Sequence, residues 1–169
     1  LYNGHDGYSQ GGGIGLAHIY NCSVLFSYFI QNRAVHGGAI YTTSGYEYHV
    51  YNMKLKYFLH CLVAFTYFIK NQADIKGGAI YVLPQRKLTL FNVMFLNNSA
   101  QHGLGGGIDA YNIICCSITD CSFIGNWANN GGGVYAFHGE TLIVYRVLFI
   151  KNTVVLHKKG EMGSAISMS

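Results

Sequence analysis

Phe123-Ile124-Gly125-Asn126-Trp127-Ala128-Asn129-Asn130-Gly131-Gly132-Gly133-Val134 places an Asn three residues after a Phe and an Ala five after it, then a glycine pair before a β-branched residue. The same order recurs as Phe29/Asn32/Ala34 before Gly37-Gly38-Ala39-Ile40, and as Phe68/Asn71/Ala73 before Gly77-Gly78-Ala79-Ile80. It returns as Phe95/Asn98/Ala100 before Gly105-Gly106-Gly107-Ile108, and in a looser fifth copy as Phe149/Asn152/Val154 before Gly163-Ser164-Ala165-Ile166. A lone Gly11-Gly12-Gly13-Ile14 precedes them all. Self-similarity at a fixed period identifies a solenoid, in which each unit buries its apolar face only by stacking on the next.

The spacing sets the size of a coil. From Ile or Val to the next Phe there are 15 residues at 14→29, 80→95, 108→123 and 134→149, against 28 at 40→68. Apart from insertions a coil therefore takes 26 to 28 residues, too short for a two-helix repeat and too rich in Gly and β-branched residues for helix. Alternation separates inside from outside. Cys22, Cys61, Leu88, Cys116 and Leu142 form one inward column, and Val24, Val63, Leu90, Ile118 and Val144 a second. The Phe column follows, and the aliphatic residue after each Phe (Ile30, Ile69, Leu96, Ile124, Ile150) is expected to turn inward with it across a bend. Asn32, Asn71, Asn98, Asn126 and Asn152 are expected to form a hydrogen-bonded ladder in left-handed backbone geometry. Three short strands per coil, each pairing with its copy one coil on, predict an all-β, right-handed parallel β-helix of about five to six coils.

This pairing of Gly-Gly-Ala-Ile with Phe-x-x-Asn resembles the repeats of chlamydial polymorphic outer-membrane proteins, and more widely the right-handed β-helix repeat proteins with surface and secreted members. The resemblance spans Gly11 to Ile166. It implies a pectate-lyase-like solenoid and an extracellular or cell-surface setting. Activity is left open by it, since this fold carries adhesins and stalks as well as polysaccharide lyases and hydrolases.

The whole chain, 1–169, reads as one solenoid segment of a longer protein, with an inserted hairpin or loop at about 43–57 and a longer loop at about 154–162. The net charge of +4 includes a single basic pair, Lys158-Lys159, which excludes the electrostatic footprint of a nucleic-acid binder. The best apolar run, Leu142 to Ile150, is nine residues long and carries Arg146, so the segment has no membrane span.

Chemistry is sparse. Polysaccharide lysis or hydrolysis needs clustered carboxylates with a basic residue nearby, and the seven acids are scattered. Asp109 and Asp120 read as solvated surface groups. No catalytic residue is assigned, and the lyase or hydrolase is the alternative to a non-catalytic segment acting in adhesion or as a stalk; Asp74, Asp109 or Asp120 converging with Arg86 would favour it. The eight His share no column, so no metal site and no cofactor are assigned. Cys22, Cys61, Cys116 and Cys121 read as small buried hydrophobes.

Two surfaces are candidates for a carbohydrate or protein partner. One is the outward ladder Tyr41, Tyr81 and Tyr135, with Tyr28 and Tyr67 stacked on another face. The other is the insertion, where Tyr46, Tyr48 and Tyr51 alternate with polar residues. The strands at the two ends have no cap and are expected to take further coils of the same chain or to self-associate. Because loop closure costs little, deleting roughly Gly45 to Lys56 is expected to keep β-sheet circular dichroism and one cooperative urea transition. A lost transition would place the insertion in the core.

Overall fold

The structure, a computed structural model, describes residues 10–17, 21–43, 60–83, 85–155 and 165–168. Most of the two expected insertions lies outside these residues, as do Tyr46, Tyr48 and Tyr51. Among the described residues all pairing is parallel and falls into four sheets, one of six strands and three of five, so a coil has four strands rather than three. In the second coil they are His60–Ala64, Tyr67–Ile69, Gln72–Lys76 and Ile80–Val82. We call the sheets they enter the long, Phe, Ala and Gly-Ile sheets.

The fourth strand arises because the corners on either side of the Phe strand each turn on one residue in left-handed backbone. Between the long and Phe sheets it is Phe26, Phe65, Asn92, Asp120 or Arg146, with φ of 49 to 53°. Between the Phe and Ala sheets it is Gln31, Lys70, Asn97, Gly125 or Lys151. The left-handed residue is therefore the one before the ladder Asn, not the Asn. Such a residue turns the chain outward without consuming an inward position, so the strand on either side keeps its own alternation. This corrects the expected inward turn after each Phe: Ile30 is 53% exposed, Ile150 is exposed, and Ile69, Leu96 and Ile124 are half-buried.

Inside, the columns stack without interruption. Phe29, Phe68, Phe95, Phe123 and Phe149 lie ring on ring, with neighbouring centroids 4.5 to 5.0 Å apart and planes within 13°. Leu88, Leu90, Ile108, Ile113 and Ile118 close the core around them. The third corner needs glycine twice over. Gly77 has φ +61°, and a Cβ on the next residue, Gly78, would strike the carbonyl oxygen of Gly106 one coil on. The last rung is less covered: inward Val144 is 40% exposed, while its column neighbour Ile118 is fully buried.

These assignments separate two apolar substitutions in urea unfolding. Phe95→Ala empties the centre of a stack and is expected to cost ~3–5 kcal/mol. Ile30→Gln, on the outer surface, is expected to stay within ~0.5 kcal/mol of the parent.

Candidate functional site

Outward columns of the Gly-Ile and Ala sheets meet across the glycine corner. In the Gly-Ile sheet, in-register pairing aligns Gly15, Tyr41, Tyr81, Asp109, Tyr135 and Ser167. The expected outward ladder of Tyr41, Tyr81 and Tyr135 does turn away from the Ile stack, but all three tyrosines are buried. They offer no open ring faces to a ligand. His36 and Lys76, in register in the Ala sheet, reach over Tyr81. The His36 ring sits 5.5 Å from that of Tyr81, and Lys76 Nζ donates to Tyr81 Oη at 3.4 Å while lying 5.2 Å from the centre of the Tyr111 ring.

Asp109 interrupts this column and is not the solvated carboxylate the sequence suggested. It is 0% exposed, and neither carboxylate oxygen has a hydrogen-bond partner. Burial pushes its carboxyl up to about 7, with the charge of Lys76 pulling the other way. Tyr81 is raised by burial and by Asp109, and His36 is lowered by burial and by Lys76.

The other described acids lie elsewhere, Glu140 among them, exposed just before the long-sheet strand Thr141–Tyr145. Asp74, on the Ala sheet, accepts from Arg33 at 3.3 Å, and Asp120, at the corner of the long and Phe sheets, accepts from Arg146 at 2.6 Å. Asp74, Asp109 and Asp120 thus occupy three different faces. Among the described residues no three His, Cys, Asp or Glu gather as a metal site, and no helix is long and apolar enough to cross a membrane. Cys22 and Cys61 are register partners with free thiols. Burial pushes Cys116 up to about 12.

The open aromatic surface lies at the corner of the long and Phe sheets. Phe26 stacks on Phe65 at 5.0 Å and Tyr28 on Tyr67 at 4.9 Å, with planes within 6° in both pairs. Phe26 is 74% exposed and Tyr28 68%, and Phe91 meets Phe65 edge to face at 5.4 Å. Periodicity showed the Tyr28/Tyr67 pair. It did not show Phe26 and Phe65, because their column continues as Asn92, Asp120 and Arg146 and has no common chemistry. What joins these residues is the left-handed corner.

Residues 26–43, 65–83 and 120–136 match the Chlamydia polymorphic membrane protein repeat, together about a third of the chain. Each match begins at or just before a long-to-Phe corner and runs through the Phe stack, the Asn ladder and the glycine corner into a Gly-Ile strand. The chain is therefore built of β-helix repeats resembling those of the chlamydial proteins, which fits a repeat segment of a surface protein. Comparison with curated proteins and with solved structures gives no match.

Asp109 makes the stability of this region depend on pH. Its folded pKa lies above its unfolded one, so the stabilisation is complete below about pH 4 and is lost as pH rises to about 7. Between pH 5 and pH 8, Asp109→Asn is expected to gain roughly 2–3 kcal/mol relative to the parent in urea unfolding, because the amide has no proton to lose. A difference independent of pH would mean that the carboxyl is not held protonated.

Proposed function

From a solenoid of chlamydial-type repeats, we propose that this chain is a non-catalytic segment of a cell-surface protein that acts in adhesion, meeting its partner through the aromatic corner of its first two coils. The observation that carries this reading is the placement of Phe26 and Phe65 in left-handed backbone, at φ 49° and 50°, with the Phe26 ring open to solvent and the Phe65 ring partly so. Bulky residues pay ~1–2 kcal/mol for that geometry, and exposed phenyl rings lower solubility. Later coils of the same chain turn the same corner with Asn92, Asp120 and Arg146, so the fold has no need of Phe there. Stacking along the corner returns part of that cost, and the exposed Phe26 ring leaves the remainder to a contact made outside the chain.

The buried Tyr41, Tyr81 and Tyr135 serve the sheet in this reading, while Phe26, Tyr28, Phe65 and Tyr67 serve the partner. The continuous core supplies the rigidity of a shaft. A lyase or hydrolase is the weaker reading, since Asp74, Asp109 and Asp120 face three ways.

Replacing Phe26 and Phe65 together by Asn separates binding from folding. Asn accepts left-handed backbone, so the double variant is expected to unfold at the same or a slightly higher urea concentration. Beads coated with it are expected to attach to cultured cells at least ~10-fold less than beads carrying the parent, as for loss of an aromatic hot spot. Equal attachment by both would leave the segment as a spacer.

A further inference from the structure

The aromatic corner encloses a cleft of about 240 Å³ lined by Phe26, Tyr28, Phe65, Tyr67 and Asn92. One wall is the Phe pair and the other the Tyr pair, and each wall repeats at the spacing of the coils, 5.0 and 4.9 Å between ring centres. No charged side chain lines it. The nearest charges along the same corner, Asp120 and Arg146, neutralise each other in an ion pair.

The polar groups at the cleft divide into two kinds. The hydroxyls behind it are spent: Ser27 donates to the carbonyl of Leu25, and Thr66 to that of Ala64. Those at its rim are not. Neither the Tyr28 and Tyr67 hydroxyls nor the side-chain amide of Asn92 bonds to any described residue. An ionic ligand would find no counter-charge here. A purely apolar occupant would cover three polar groups and leave them unpaired, which costs more than their contact returns. A chain that alternates C–H faces with hydroxyls satisfies both the rings and the rim, in the manner of sites that pair aromatic walls with a few placed polar groups.

Resting on the adhesion reading, we infer that this cleft binds a neutral, extended glycan, one sugar to a coil over the first two coils. The match of lengths supports it, since one coil spacing is close to the advance of one sugar in an extended β-linked chain. Phe26 and Phe65 flank the C–H faces, the tyrosine hydroxyls donate to ring oxygens or accept from sugar hydroxyls, and the Asn92 amide marks the end of the cleft.

The test is calorimetric titration of the 169-residue chain with neutral β-linked hexasaccharides, a glucose and an N-acetylglucosamine series, and with anionic polygalacturonate. Saturable binding of at least one neutral hexasaccharide is expected, at least ~10-fold tighter than that of polygalacturonate. Tyr67→Phe keeps the ring and removes the hydroxyl, and is expected to weaken binding ~3–10-fold, the worth of one hydrogen bond. Phe65→Asn, checked for folding by circular dichroism, is expected to weaken it more than ~10-fold, and Asp120→Ala to leave it unchanged. Failure of the folded parent to bind any neutral hexasaccharide, or binding indifferent to Phe65→Asn, overturns the inference. If the glycans fail while the Phe variants still lose attachment to cells, the corner docks a protein surface and the adhesion reading stands alone. Glycan binding without any cell attachment would instead retain this inference and remove adhesion.

Discussion

A buried primary amide has two donors and two acceptor sites to fill, and in this chain the neighbouring coils fill all four. Asn71 Oδ1 accepts from the backbone N–H of Asn32 at 3.0 Å and from its side-chain amide at 2.9 Å. Asn71 Nδ2 donates to the carbonyl of Phe29 and to Asn98 Oδ1, both at 2.9 Å. The pattern repeats at Asn98 and Asn126 and ends on Asn152, which donates to Phe123. Each amide thereby ties the Phe strand of the coil behind it to the Asn of the coil ahead. A slip of one residue between coils would bury an amide with nothing to bond, so the ladder fixes the register on which the Phe stack and the glycine corner both depend.

Because the inside is fixed by stacking, the outside of each corner is free to vary. One left-handed residue turns the chain whether it is Phe65, Asn92, Asp120 or Arg146, and the ion pair of Arg146 with Asp120 occupies the same column as the aromatic stack. The same freedom explains Asp109. Its position needs only an outward residue of a Gly-Ile strand, and Tyr81, Lys76 and Tyr135 around it give a carboxylate little water. Function in such a solenoid resides in outward columns, where a residue can be chosen for its chemistry without disturbing the repeat.

That division also governs what could be read from the sequence. Inward columns repeat one residue type, so the Phe stack, the Asn ladder and the glycine pair are legible by counting. The aliphatic residues after Phe are not legible this way, because hydrophobicity does not entail burial: Ile30 and its column neighbours lie outside, and the left-handed corner that puts them there leaves no mark in composition. The tyrosine column is legible as outward, but the cover that His36 and Lys76 give Tyr81 comes from the adjacent sheet, which no period reveals. Half of the aromatic corner was visible, as Tyr28 and Tyr67. The other half lies in a column of mixed chemistry and appears only once its shared φ is known.

The ladder itself is tested most directly by comparing two adjacent asparagines in urea unfolding. Asn98→Ala removes two acceptor contacts from Asn71 and two donor contacts, to Phe68 and Asn126, all in the buried core. Asn97, one residue earlier, is an exposed corner residue outside the ladder. The account predicts a loss of at least ~3 kcal/mol for Asn98→Ala, from buried groups left unpaired, and no more than ~1–2 kcal/mol for Asn97→Ala, from backbone strain alone. Equal losses at the two positions, or a loss below ~1 kcal/mol at Asn98, would contradict it.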